Sequence, residues 1–425
     1  MKNILLSIIV LIPILGLSQE KEKKFGIKFS GFVKTDIFFD SRQTWDARDG
    51  QFLLYPKNEL PDENGDDINA NTKFNMLSIQ TRLKLTITGP DAFGAKTSGL
   101  IEGAFFGNIG SDLNGFRLRH AFVKLNWTKT ELLVGQYWHP MFVTSCFAGT
   151  VSFNTGTPFQ PFSRNPQIRL TQKLGKFNLI LAALTQTDFA STGPAGFSTR
   201  YIINSATPEL NLRFEYKVKN FLVGVGGNYK TLMPRLNTIN TYYVAGEEVN
   251  KNYKTNETVA GTSFFGYLKV KTKPITIKLY GVGGQMMYSM VNLGGYAETE
   301  FVKEDFELSP DSITTNIKYS PLSTASTWID IHTNGKKWQF GLFGGYSKNL
   351  GSNDEIKGKV WGRGADVDYL YRISPRVIFN AGKFRIAPEI EYTVAAYGTP
   401  DVKGIVKDAK EVGNFRVLLG VYYFF

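Results

Sequence analysis

The sequence predicts an all-β chain: a closed antiparallel transmembrane β-barrel of about sixteen strands, with short turns at one end and long loops at the other. Three observations carry this expectation. First, the chain ends on an apolar strand. Phe415, Val417, Leu419, Val421, Tyr423 and Phe425 fall on one face, and Arg416, Leu418, Gly420, Tyr422 and Phe424 on the other. Such a strand suits a wall that meets lipid, and it must pair with the first strand because hydrocarbon tolerates no open sheet edge. Second, apolar and polar residues alternate at period two in segment after segment. Third, short and long connections between those segments alternate strictly along the chain.

The amino terminus reads as an export signal. Met1-Lys2-Asn3 precedes an apolar run from Ile4 to Leu17, broken once at Pro13, and Gly16 and Ser18 are the small residues before a cut at Gln19. Residues 1–18 are therefore expected to be a cleaved signal peptide, and 19–425 the barrel. The apolar run is too short to span a bilayer as a helix, and the residue directly after the cut is not a cysteine. The single Cys146 excludes an internal disulfide framework. Mean hydropathy is slightly negative, while aromatics make up 14% of residues, the profile of a wall whose alternate side chains face water. The formal charge is +12. For an exported chain that excess fits a pore lining and anionic lipid headgroups, not nucleic acid.

In the first strand Ile27, Phe29, Gly31, Val33, Thr35, Ile37 and Phe39 alternate with Lys28, Ser30, Phe32, Lys34, Asp36, Phe38 and Asp40. A polar stretch, Ser41 to Asn75, follows. The second strand runs Leu77 to Thr88, before the Gly89-Pro90-Asp91 turn. Further candidates are 98–107, 116–127, 131–138, 167–174, 177–188, 209–219, 221–230, 257–271, 275–288, 324–333, 337–348, 366–379, 384–397 and 412–425. Short connections fall around Pro90, Lys129, Gly175-Lys176, Lys219-Asn220, Thr272-Lys273, Asn334-Gly335 and Asn380 to Lys383. Asn334-Gly335 is a two-residue hairpin signal. Around His120 the alternation changes phase, which calls for a β-bulge. Pro388 inside a strand calls for a bulge or a section without a partner.

Gly420, Tyr423 and terminal Phe425 resemble the carboxy-terminal assembly signal of bacterial outer-membrane barrels, which implies the barrel-assembly machinery as a partner during insertion. Phe116-Arg-Leu-Arg-His-Ala-Phe-Val-Lys-Leu with Leu132-Leu-Val-Gly-Gln-Tyr-Trp resembles the strand pair before a porin constriction loop. Arg372 to Tyr397, with Gly382-Lys383-Phe384 and Glu391-Tyr392, is similar to late strands of the DcaP-like trimeric porins. The resemblance implies a homotrimer in the outer membrane and a third loop, about 139–166, folded into the lumen. Phe142, Phe147, Phe153, Phe159 and Phe162 would pack that loop against a wall. Gly103, Gly227 and Gly281 are small lipid-face positions that permit close subunit contact.

A pore works by its narrowest point and the charges around it. Arg82, Lys84, Arg117, Arg119, Arg213, Lys217, Arg385 and Arg416 lie on the polar phase of their strands, and Arg164 and Arg169 lie near the third loop. Lipid-face charges near the midplane cost a few kcal/mol, so these should point inward. Glu102, Glu215, Glu389 and Glu391 are the acidic lumen candidates. The basic excess predicts an anion preference. Asp62, Asn64 and Asp66 around Gly65 have calcium-loop spacing but lack the later glutamate of an EF-hand. Glu304, Asp305, Glu307 and Asp311 form a second acidic cluster. His120, His139 and His332 offer neither zinc spacing nor a defensible serine partner, so no enzyme and no other cofactor is expected. The expected function is passive diffusion of small hydrophilic, anionic solutes. The alternative is a plugged structural barrel inside a larger outer-membrane complex.

Overall fold

The computed structural model describes residues 25–107, 112, 114–244, 247–302 and 316–425. The export signal and the cluster from Glu304 to Asp311 lie outside the described residues. Sixteen strands close into one antiparallel barrel. They are β1 (Gly26–Asp40), β2 in two segments (Lys73–Leu77 and Arg82–Thr88), β3 (Lys96–Ala104), β4 (Arg117–Asn126), β5 (Thr130–Trp138), β6 (Arg164–Leu174), β7 (Phe177–Leu184) and β8 (Glu209–Lys217). Then follow β9 (Phe221–Leu232), β10 (Val259–Lys271), β11 (Ile275–Gln285), β12 (Asn316–Thr333), β13 (Trp338–Ser352), β14 (Val367–Ala381), β15 (Phe384–Pro400) and β16 (Val406–Phe424). Among the described residues no helix is long and apolar enough to cross a membrane.

Closure is made by β1, which pairs β2 on one side and β16 on the other. Phe32 faces Phe424, Asp36 faces Gly420 and Asp40 faces Arg416 across the seam. The end of the chain is tied there by reciprocal backbone bonds of 3.2 Å between Gly31 and Phe425. Alternation decides which way each side chain points. Lys34, Asp36, Phe38 and Asp40 are buried inside, while Val33, Phe39, Tyr423 and Phe425 are exposed on the outer face.

The bulge expected near His120 is present. Glu102 pairs His120 and Gly103 pairs Leu118, so Arg119 is the inserted residue. Around Pro388 the ladder to β14 has a gap between the Arg376–Glu389 and Phe379–Ile386 pairs, while the β16 side is continuous through Leu419. Three details depart from expectation. The second strand is interrupted between Leu77 and Arg82, which turns Leu77 and Ile79 into the interior core instead of leaving them on the outer face. The Asn334-Gly335 connection runs from Thr333 to Trp338, longer than a two-residue hairpin. The Asn334 amide instead donates to the Thr272 carbonyl of the neighbouring turn and accepts from the Thr276 hydroxyl at the start of β11. The last outer connection is short, because β15 runs on to Pro400 and β16 starts at Val406. On the lipid face, the Phe116 ring occupies the space beside Gly103, whereas Gly281 stays open.

Candidate functional site: the lumen and its two inward loops

The interior is organised by two connections and the charges that hold them. The connection between β5 and β6 crosses to strands far from its own. Its carbonyls at Pro140, Met141, Ser145 and Phe147 accept from Arg213 on β8, Tyr280 on β11, Lys269 on β10 and Lys278 on β11, at 2.8–3.1 Å. Its backbone N–H groups reach carboxylates on the opposite wall. Gly149 donates to Asp330 on β12, and Val151 and Ser152 both donate to Glu389 on β15, at 2.6 and 3.1 Å. Asn154 donates its amide to Glu391. Aromatics fasten the near side: Trp138 stacks on Phe142 at 3.9 Å, and Phe162 packs edge-on to both. Cys146, within this loop, is buried, and burial pushes its thiol up to about 12.

The connection between β1 and β2 also turns inward, which the sequence reading did not anticipate. It forms a hairpin, Thr44–Ala47 against Phe52–Pro56. Phe52, Leu53, Leu54 and Tyr55 are all buried. Two interior arginines pin it through its carbonyls. Arg416 donates to Gly50 at 2.8 Å while pairing with Asp40 through two nitrogens. Arg372 donates to Leu54 of this hairpin and to Thr157 of the β5–β6 loop, both at 2.9 Å. The two loops meet where Phe52 packs edge-on against Phe153 and Phe162.

Around that meeting point lies a basic cluster. Arg82 and Arg119 share Glu102, and Arg117 and Arg164 share Asp188 from the β7–β8 connection. The Phe106 ring lies within 6 Å of the guanidinium carbons of Arg48, Arg117, Arg119 and Arg164. A cavity of about 430 Å³ opens on one side, lined by Arg82, Lys84, Glu102, Arg119, Trp138 and Phe142. A second, of about 520 Å³, lies between the hairpin and the outer connections.

The remaining candidates sit as follows. Arg169 donates to Gln167 and to the Trp138 carbonyl. Glu215 accepts from Tyr267 and Asn178. Arg385 bonds Asn380 and lies over Tyr422 and Phe424. Lys217 is exposed at the end of β8. Gly420 lies in the seam opposite Asp36, with Tyr423 and Phe425 on the outer face. Asp62 accepts from the backbone of Asn64 and Asp66 at 2.8 and 2.9 Å, which holds its carboxyl below the ordinary range. Among the described residues no group of three or more His, Cys, Asp or Glu could hold a metal ion.

No family model matches the sequence, and no curated protein matches it. Solved structures do match in shape. The outer membrane channel DcaP of Acinetobacter baumannii aligns over 96% of this chain and all of its own, at 15% identity and a TM-score of 0.66. An anion-selective porin from Comamonas acidovorans covers 95% and 100%, at 12% identity and 0.55. OmpT of Vibrio cholerae, an outer-membrane protein also solved in a trimer form, covers 95% and 100% at 12% identity and 0.54. The fold is a porin fold.

Within this porin fold, several interior charges escaped the sequence reading. Asp330, Arg372 and Arg376 sit on the polar phase of long strands, a signal that could have found them. Arg48 and Asp188 sit in connections, where no periodicity marks a direction.

Proposed function

We propose that the chain is an outer-membrane porin through which small hydrophilic solutes diffuse, with anions preferred. The reading is supported by the closed barrel and, above all, by the basic cluster at the meeting of the two inward loops. Arg48, Arg82, Arg117, Arg119 and Arg164 stand there, with Glu102 and Asp188 paired to four of them and Asp112 close to Arg117. Among the described residues, five cations against these three carboxylates leave a local positive excess. In a lumen lined this way that excess attracts anions and repels cations. Carboxylates on the opposite wall are engaged by the loop backbone and by Lys34, Lys278 and Arg376, so they offset the excess weakly. Assembly as a homotrimer and insertion by the barrel-assembly machinery belong to this reading, as does diffusion without catalysis.

One observation favours a second reading, a plugged structural barrel. Phe52, Phe106, Phe153 and Phe162 pack between the two cavities as an aromatic partition. Planar-bilayer recording separates the two. The porin reading expects stepwise conductance increments from the purified protein. Persistent silence with a co-purifying partner supports the plug.

A further inference from the structure

We propose that the outer face of the wall from β6 to β11 is a binding site for an anionic phospholipid of the inner leaflet. The acyl chains lie in an apolar groove of the wall, and the phosphate lies on a row of lysines at its rim. The proposal does not depend on conduction through the lumen.

The three short turns that join these strands are basic. They read Lys173-Leu-Gly-Lys-Phe177, Lys217-Val-Lys-Asn-Phe221 and Lys271-Thr-Lys-Pro-Ile275, with no Asp or Glu among them. All six lysines are exposed. Backbone bonds stitch the turns side by side: the Lys217 N–H donates to the Lys176 carbonyl and the Lys271 N–H to the Asn220 carbonyl, both at 2.9 Å. Six like charges are therefore held along one rim, and among the described residues none of them has an ion pair. Neighbouring carboxylates are used elsewhere. Glu131, on the strand beside β6, pairs with Lys124 at 2.9 Å, and Glu215 accepts from Tyr267 inside the barrel. The short turns of an outer-membrane barrel face the periplasm. Next to the lysines Phe177, Tyr216 and Phe221 pack in a row, with ring centres 4.9 and 6.3 Å apart. Aromatic belts of this kind sit at headgroup level. The lysines thus stand at the height of the inner-leaflet phosphates, where each attracts anionic lipid.

Beyond the belt the wall is concave. Two apolar hollows of about 720 and 460 Å³ adjoin on its outer face and share Leu212, Gly227 and Phe264. Ile168, Leu170 and Leu181 line the first, and Phe214, Val225 and Gly281 the second. The space is open where side chains are missing. A Cβ built at Gly283 meets no atom within 4 Å, and one at Gly281 meets nothing closer than 4.0 Å. Phe214 lies three residues before Lys217, about 10 Å along the strand, so a chain whose headgroup sits at the rim reaches the groove. Two adjoining hollows suit the two chains of one phospholipid, and the lysines suit a headgroup with net negative charge. A second copy of the protein fits this wall less well. Its other short turns are basic too, with Lys129, Lys336, Lys337 and Lys383, so contact would set lysines against lysines. Gly227 and Gly281, which by sequence permit subunit contact, are on this reading the floor of a lipid groove.

The test is native mass spectrometry of the full-length protein in detergent, titrated with dioleoyl phosphatidylglycerol. Dioleoyl phosphatidylethanolamine is the control with the same chains and no net charge, and glycerol 3-phosphate the control without chains. The expected result is phosphatidylglycerol retained by the protein at a concentration at least about tenfold below that needed for either control. The combined substitution Lys217→Gln, Lys219→Gln, Lys271→Gln and Lys273→Gln is expected to raise that concentration at least about tenfold. Gly281→Leu with Gly283→Leu, which fills the groove and keeps every lysine, is expected to raise it about threefold or more. If the filled-groove variant fails to fold by circular dichroism, the lysine variant, which changes exposed side chains only, and the two controls decide. Equal retention of phosphatidylethanolamine or of glycerol 3-phosphate, or undiminished retention in the folded variants, would overturn the proposal. Tighter retention of lipid A, a lipid of the outer leaflet, would overturn it as well. So would a parent protein that retains no phospholipid and loses its oligomers when the groove is filled, which would make this wall an interface between copies.

Discussion

A guanidinium taken out of water needs a partner, and this lumen supplies three kinds. Arg416 has a carboxylate that bonds two of its nitrogens, Asp40, and a carbonyl at Gly50. Arg372 relies on Thr393 and on carbonyls from two different loops, with Glu391 at 3.6 Å. Among the described residues Arg48 has aromatic rings alone. The first arrangement is the most sensitive to loss, because removing one partner strands a fully buried charge. Asp40→Ala is therefore predicted to destabilise the barrel by about 3 kcal/mol, measured as a lower unfolding midpoint in detergent. An unchanged midpoint would mean that water already solvates Arg416. Single residues also explain where sequence reading stops. Arg416 is legible as inward because its strand alternates, but that it fastens the first loop depends on Gly50, hundreds of positions away. Arg48 has no strand to give it a direction at all.

At the scale of elements, the barrel strands were legible and the loop interiors were not. Each of the sixteen candidate segments overlaps a barrel strand, with ends that differ by up to eight residues, because lipid on one side and water or charge on the other impose period two along the wall. The break at Ser78 to Thr81 is invisible to periodicity because Leu77, Ile79 and Thr81 keep the same period while the backbone turns. There the apolar residues serve an interior core, a destination periodicity does not distinguish from lipid. The aromatic spacing of the third loop points to packing, whereas the first loop's Phe52-Leu53-Leu54-Tyr55 has the same apolar character but sits inside a polar stretch that hides it. The β5–β6 loop depends on Glu389, which accepts two of its backbone N–H groups. Glu389→Ala leaves both donors without that acceptor, at a cost of about 1–3 kcal/mol each. The expected outcome is a looser loop, seen in single-channel records as added open-state current noise over the parent protein. Records as quiet as the parent's would show that the other anchors, at Asp330 and Glu391, suffice.

At the scale of the molecule, one closed sheet explains the composition. Its outer face carries exposed apolar residues such as Phe29, Phe74, Val123, Phe264 and Phe340, and its inner face carries the buried charges. The seam between β1 and β16 turns a chain with two ends into a ring without edges. Closure accounts for the terminal aromatic strand that first pointed to this architecture. The formal charge of +12 then acquires a place, since part of the excess is gathered at the narrow meeting of the two inward loops. The most direct measurement is the reversal potential of the channel in a planar bilayer under a potassium chloride gradient. The account predicts a potential displaced toward the chloride equilibrium value. A displacement toward the potassium value would contradict it.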